Sequence, residues 1–559
     1  MPIEAQQPSS PTLELASLSP TSSVSPDSPL LTPTPTGPRP RWALPSRNRS
    51  QRLVHTTCAT SRAVVLRVYR LVSRLLPSPS LKSAVPYALL AYTLACVAVS
   101  VPPFASRLPA YTGPHAVGAI DLEVPLARPQ LVAEPVFKDS QAPAFELETV
   151  LFTLYYPTNR AAKSTKKPLP WIPKPISLTA RGYARLARID SPLTRPVLTF
   201  ALWLVAGAIT IPAEVDTPLY NDSSPHHASL PVVIFSHGMA SSRTDYTNYL
   251  GELASRGTIV AALEHRDGSS PASLINVPDS SKPKPLLHFR ASHLLASPTN
   301  NTPVDTPSLK KHQLAFRDAE MLQTIRVLRQ LNANAFIPCT RSVPRESLSS
   351  FASRLDFSRL TTAGHSYGAT STLQALKYAV SHADMASRPD NPSVAGIALD
   401  PGKESGPLNA AINVPLLVVH SNSWSKQHTL FFGRPHFDTV RDLVAVVLNR
   451  TGAAWFLTSL GTSHPSVTDA PLIEPLLLSW TTGATLNVKE ALKEYVRVSD
   501  DFIKSVGTAK AAAGVLKERI THKTYNKWVS DARREHFPKH LARLWEIHVS
   551  PASSKDPST

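Results

Sequence analysis

Eleven residues constrain this chain more than any other stretch. Leu360 to Thr370 read LTTAGHSYGAT: a short apolar strand, then Gly364-His365-Ser366-Tyr367-Gly368, then the opening of a helical period. Two glycines around a serine permit the sharp strand-to-helix turn that lifts a serine side chain above the edge of a sheet. The N-terminus of the following helix favours developing negative charge beside Ser366. Alone, such a pentapeptide is equally a surface turn with an ordinary serine. The strand before it and the helix after it are what single it out.

The flanking chain has the pattern such an elbow needs. Short apolar runs read as strands at Ala116 to Leu126, Thr149 to Tyr156, Pro231 to Ser236, Thr258 to Glu264, Leu360 to Ala363, Val394 to Leu399, Pro415 to His420 and Ala454 to Leu460. Helical periods fall between them at Asp245 to Arg256, His312 to Leu331, Ala369 to Val380 and Phe437 to Leu448. That alternation predicts an α/β class with a mostly parallel sheet covered by helices on both faces. The catalytic domain is expected over 108–545, interrupted by a Pro- and Ser-rich surface loop at 271–307. The chain after Ser479 reads as helical and basic, and 546–559 as a frayed tail. No internal repeat is present.

Composition excludes several classes. A 559-residue chain that is 42% hydrophobic and 18% charged can bury a large core. Its net charge of +18 would suggest nucleic acid if it were spread over folded surface, but residues 1–107 hold 11 Lys/Arg against 3 Asp/Glu. The excess is a basic leader, so no nucleic-acid partner is expected. Three cysteines, Cys58, Cys96 and Cys339, form neither a disulfide framework nor a zinc spacing.

Of the first 50 residues 26 are Pro, Ser or Thr, so 1–82 reads as a disordered tail that turns basic. No charge occurs from Ser83 to Ser106, which is long enough for a single membrane-anchor helix. Lys and Arg on its N-terminal flank predict a cytosolic tail and a lumenal or extracellular catalytic domain. Pro86 and Pro102-Pro103 argue instead for a buried or interfacial helix. Sequons at Asn221, Asn300 and Asn449 lie on the side expected to be lumenal.

A serine nucleophile needs a base and an orienting acid, in the chain order Ser, then Asp or Glu, then His. Asp400 ends the apolar run Val394 to Leu399, which sets it at the edge of the next strand; Asp390 and Asp438 read as loop and helix-opening residues. His464 follows the last strand in Gly461-Thr462-Ser463-His464, whereas His420 comes one strand too early, and His522, His536 and His540 read as surface. An oxyanion hole takes one N–H from the residue after the nucleophile and one from a loop after an early strand. Tyr367 and Met239, the latter behind the strand end His237-Gly238, fill those places.

The segments Pro231 to Asp267, Ala363 to Thr370, Gly396 to Pro401 (GIALDP) and Gly461 to His464 (GTSH) closely resemble the platelet-activating factor acetylhydrolase family of the plasma and type II intracellular kind, the group VII phospholipases A2. Leu154 to Pro157 and Trp171 to Pro173 extend the resemblance to about residues 116–535. It implies an α/β-hydrolase fold with Ser366 as nucleophile, Asp400 as acid, His464 as base, and Met239 and Tyr367 as backbone oxyanion donors. It further implies calcium-independent hydrolysis of the sn-2 ester of phospholipids with short or oxidised acyl chains, without metal or organic cofactor. Two positions depart from the family: Ala369 stands where a second glycine is common, and Pro401-Gly402-Lys403 where an aromatic segment usually follows the acid. The 17-residue apolar run Val197 to Ala213 matches a family helix that rests on the lipid surface, with Phe200, Leu202, Trp203 and Leu204 as expected contacts with a membrane; a core helix is the alternative. Glu264-His265-Arg266-Asp267 reads as a structural loop near the site. Two other functions remain open at this point, a general carboxylesterase acting on neutral esters and a non-catalytic membrane scaffold.

Overall fold

The computed structural model describes residues 87–88, 90–92, 94–96, 105–221, 229–278, 280, 282–377, 391–475, 481–506, 508 and 512–552. Everything below concerns the compact unit Tyr87–Thr559. The expected disordered tail, 1–82, and most of the expected anchor, 83–106, lie outside the described residues. Among the described residues no helix is long and apolar enough to cross a membrane, so the anticipated span is carried by none of them.

A twelve-stranded mixed sheet forms the centre. Across it run Trp545–Val549, Ala454–Ser459, Leu416–Ser421, Ala395–Leu399, Leu355–His365, Leu230–Ser236, Ile259–Glu264, Pro143–Thr158, Ala116–Phe137, Leu294–Ser297 and Asn300–Pro303, with the two-residue strand Glu214–Val215 beside Ala116–Phe137. The strands from Ala454–Ser459 to Ile259–Glu264 are mutually parallel, and those beyond them on both sides pair antiparallel, except Glu214–Val215, which runs parallel to Ala116–Phe137. The eight strands expected from sequence all form, several of them longer than their apolar runs.

Side-chain alternation explains why helices cover both faces. Val233 and Phe235 point to one side, into the core shared with Tyr249, Leu250 and Leu253 of helix Thr247–Ala254. Val232 and Ile234 point to the other, into the core shared with Phe316, Ile325 and Leu328 of helix Thr306–Asn332. The parallel strands are apolar on both faces because both faces are buried. Helices Tyr367–Ala375 and His436–Thr451 pack Leu373, Val440 and Val444 onto Val418 and Phe456 in a third cluster. Strand, elbow and helix in this parallel setting are the architecture of an α/β hydrolase.

Two segments differ from the sequence expectation. Residues 271–307 are no plain loop: Ala272–Ile275 pairs with Lys284–Leu287, and Leu294–Ser297 extends the main sheet by pairing with Val136 and Phe137. Phe289 is buried edge-on against Phe137 (5.1 Å) and Phe145 (5.8 Å). The Pro and Ser content masks four-residue apolar runs too short to stand out as periods. The C-terminal stretch is also not all helix, and 546–559 is not simply a frayed tail. Trp545–Val549 is fully buried as the antiparallel partner of Ala454–Ser459. Without it that buried strand would end the sheet with an unpaired edge. His522, expected at the surface, is buried in the short strand His522–Thr524 against Trp528.

Candidate active site

The elbow is as tight as its glycines imply. Ser366 sits at φ 57° and ψ −121°, a left-handed conformation that costs a non-glycine residue energy and is common at reactive positions. Its N–H donates to Leu399 O (2.9 Å), which ties the turn to the strand that carries Asp400. A Cβ on Gly364 would lie 2.2 Å from Gly368 O, and one on Gly368 would lie 1.9 Å from Ser236 O. Ala369 is fully buried in the core cluster under helix Tyr367–Ala375, so the second glycine of related elbows is not needed here.

The structure brings together the three residues named from chain order. His464 Nε2 is 3.0 Å from Ser366 Oγ, and His464 Nδ1 is 2.8 Å from Asp400 Oδ2. Asp400 is 2% exposed, yet its carboxylate is well provided with donors: Ser421 N–H reaches Oδ1 (2.6 Å) and Ser421 Oγ reaches Oδ2 (2.7 Å). A carboxyl group so held fixes the orientation of His464, with Nδ1 turned to Asp400 and Nε2 facing Ser366. His464 N–H donates to Ser423 Oγ (3.0 Å) and anchors the loop.

Two rings enclose the imidazole. Trp424 stacks on His464 with centroids 4.0 Å apart and an 11° interplanar angle, and His365 lies 4.5 Å away at 37°. Trp424 Nε1 donates to Pro401 O (3.0 Å), and Lys403 Nζ sits 4.5 Å from the indole centroid. Burial lowers the Lys403 ammonium to a pKa of about 8. Sequence reading missed Trp424. The aromatic expected just after Asp400 is supplied from the next strand's exit, and only the apolar run before Ser421-Asn422-Ser423-Trp424 hinted at a residue facing the site.

The rival histidine lies elsewhere. His420 is fully buried behind the site, against Phe456 (4.7 Å) and His436 (5.6 Å), with Ser425 Oγ at 3.3 Å from its Nδ1. Asp390 lies outside the described residues, and Asp438 pairs with Arg441 at 3.1 Å in the first turn of its helix. His536 and His540 are exposed.

Of the residues expected to donate at the oxyanion hole, Tyr367 follows Ser366 in the chain and Met239 lies in the loop behind Gly238. Gly238 N–H is taken by Tyr246 Oη (3.1 Å) and Ala240 N–H by Ser269 O (2.9 Å), and Met239 between them lines the same cavity as Ser366. A Cβ on Gly238 would lie 3.1 Å from the Ser366 Cβ, so this glycine lets the loop approach. Tyr367 opens the helix, and its own ring is buried away from the pocket with Oη on Gln313 Oε1 (3.0 Å).

One buried cation braces both halves. Arg317, fully buried, pairs with Asp267 (2.8 Å), donates to His237 O (2.8 Å) and Ser269 Oγ (2.7 Å), and lies 4.4 Å from the Tyr367 ring centroid. The loop Glu264 to Asp267 is structural, as expected. Glu264 pairs with Arg243 (3.0 Å), His265 Nδ1 lies 2.6 Å from Glu320, Arg266 pairs with Glu123 (2.5 Å), and Asp267 holds Arg317.

Ser366, His464, Gly238 and Met239 line a cavity of about 230 Å³ together with Trp171, Tyr183 and Asp245. Larger cavities of about 410 Å³ beside Arg243 and about 750 Å³ beside Phe200 and Trp203 do not include Ser366. Helix Thr194–Ala206 exposes Phe200 (59%) and Trp203 (42%), whereas Leu202 turns inward onto the core and Leu204 is half-buried. Of the four expected lipid contacts, two face outward. Among the described residues the one grouping of His, Cys, Asp and Glu close enough to hold a metal is His365, Asp400 and His464, where His464 and Asp400 already bond to each other.

Residues 103–532 match the family described as "Platelet-activating factor acetylhydrolase, isoform II". A putative phospholipase A2 of Schizosaccharomyces pombe is 27% identical over 285 residues, 47% of this chain and 57% of that one. A platelet-activating factor acetylhydrolase of Cavia porcellus is 28% identical over 203 residues, 36% of this chain and 40% of that one. The match therefore spans about half the length of these relatives. A ferulic acid esterase from Streptomyces cinnamoneus superposes with a TM-score of 0.45 at 17% identity, over 79% of this chain and 99% of that one, too loosely to bear on function. With its family match running from residue 103 to 532, the chain belongs to the platelet-activating factor acetylhydrolase, isoform II, family.

Proposed function

We propose that this chain is a calcium-independent serine esterase that removes a short or oxidised sn-2 acyl group from a phospholipid, leaving a lysophospholipid and a short carboxylate. The observation that carries the hydrolase reading is the continuous relay from Ser366 Oγ through His464 to Asp400, at 3.0 and 2.8 Å. In it His464 Nε2 takes the Ser366 proton as Oγ attacks the ester carbonyl. Asp400 holds the imidazolium that forms, and the Met239 and Tyr367 amides receive the oxyanion. His464 then protonates the leaving lysophospholipid oxygen, and water, deprotonated by the same histidine, cleaves the acyl-Ser366 ester.

Cavity size favours the short acyl group. About 230 Å³ is below the roughly 300 Å³ at which pockets for drug-sized ligands begin. Exposed Phe200 and Trp203 suit a surface that rests on lipid while a monomer enters the site.

A fluorophosphonate probe tests the nucleophile directly. The full chain should be labelled on Ser366, read by peptide mass spectrometry, and labelling should vanish in Ser366→Ala. Folded protein left unlabelled would favour the non-catalytic scaffold; labelled protein that cleaves neutral short esters but no phospholipid would favour the general carboxylesterase.

A further inference from the structure

The proposed reaction makes no use of Asp245, although this carboxyl lines the same cavity as Ser366 and His464. We propose that Asp245 is the cation-accepting wall of the pocket, placed to receive a quaternary ammonium or other cationic group carried by the ester substrate. The inference rests on the esterase reading above and deepens it.

Asp245 has no cation of its own. Among the described residues none stands within ion-pair distance of it, and the nearest in sequence, Arg243, is held by Asp121 (2.8 Å) and Glu264 (3.0 Å). Nor is Asp245 needed as a helix cap. The start of helix Thr247–Ala254 is bonded instead by Asp469, which accepts from Thr247 N–H (2.8 Å), Thr247 Oγ1 (2.6 Å) and Asn248 N–H (2.8 Å). The local duty of the Asp245 side chain is to accept Ser242 N–H at Oδ2 (2.7 Å) and a bond from the Ser242 side chain, both within one short turn, which leaves acceptor capacity unused.

The surroundings favour a cationic guest. Burial, together with the neighbouring carboxyls of Asp469 and Glu264, pushes the Asp245 carboxyl up to about 7. An arriving positive charge would relieve that repulsion and draw the proton off. Trp171, Tyr183 and Tyr246 border the same small cavity, and aromatic faces beside a carboxylate are the usual means of holding a quaternary ammonium. These rings are fixed: Trp171 Nε1 donates to Asp469 (3.0 Å), Tyr183 Oη to Ala240 O (3.3 Å), and Tyr246 Oη accepts Gly238 N–H (3.1 Å).

The test compares two 2-acetyl lipids that differ only at the end of the headgroup, phosphocholine against its uncharged 3,3-dimethylbutyl isostere, with the full chain and Asp245→Asn. Asparagine keeps an acceptor for Ser242 N–H. The expected result is a preference for phosphocholine in kcat/KM of roughly tenfold in the native chain, reduced to within about twofold in the variant. No preference in the native chain, or an equal fall on both lipids in the variant, would overturn it. Nitrophenyl acetate, cleaved through Ser366, reports separately on the esterase reading. Calorimetric titration with decyltrimethylammonium reads the site without turnover: binding weakened in Asp245→Asn supports the assignment, and no binding to the native chain contradicts it.

Discussion

The indole of Trp424 lies parallel to the imidazole of His464, 4.0 Å away at 11°, so the proposed base is held from its face as well as from its two nitrogens. Such a contact is worth about 0.5–1.5 kcal/mol beyond area burial. Trp424→Leu should lower kcat on nitrophenyl acetate roughly threefold to tenfold, and Trp424→Phe should recover most of it because a ring remains although the bond to Pro401 O is lost. Equal activity of the Leu variant and the native chain in steady-state assays would remove Trp424 from the account.

Arg317 is the brace under the proposed oxyanion hole. Arg317→Met strands Asp267 as an uncompensated buried charge and frees the His237 carbonyl, at an expected cost of about 3–5 kcal/mol of stability. Urea unfolding would measure it. The double variant Arg317→Met/Asp267→Asn should regain part of that stability while kcat stays low, which separates the lost charge pair from the lost positioning.

The elbow glycines allow no side chain. Gly368→Ala puts a methyl 1.9 Å from Ser236 O, a backbone atom that cannot move aside, so soluble protein without Ser366 labelling is the expected yield at best. Gly257, at φ 98° with open space around it, is the contrast: alanine there strains one turn and should leave labelling intact.

Acid should destabilise this fold through its buried imidazoles. Burial, with Lys403 nearby, lowers His436 to about 4, against a smaller opposing effect of the Gly402 backbone. A histidine depressed in the folded state binds fewer protons there than in the unfolded chain. Its contribution to stability is thus full above about pH 6.5 and is lost as pH falls from there towards 4. The melting temperature should drop between pH 7.5 and 4.5, and His436→Phe should make that drop smaller. A drop of the same size in both proteins would assign the acid sensitivity to other groups.

How far the sequence reached depended on how local each signal was. Ser366 announces itself through Gly364 and Gly368, and Asp400 and His464 follow from strand order, because the parallel strands are apolar runs that the chain order numbers without ambiguity. Trp424 was hidden because its role depends on the neighbour that one strand offers another, which spacing does not encode. Leu202 and Phe200 lie two residues apart in one apolar run, yet one packs inward and the other faces out. Only the angle at which helix Thr194–Ala206 meets the body decides that. Trp545–Val549 was missed although W-E-I-H-V alternates as a strand does, because five residues inside a basic stretch are a short signal; all five are buried because Ala454–Ser459 offers an edge to pair.

The most direct test of the central claim is hydrolysis of 2-acetyl against 2-palmitoyl phosphatidylcholine analogues in the presence of a calcium chelator, by the full chain and by Ser366→Ala side by side. The account predicts turnover of the acetyl lipid, little or none of the palmitoyl lipid, and loss of both in the variant. Equal turnover of the two lipids, or acetyl hydrolysis that survives in Ser366→Ala, would contradict it.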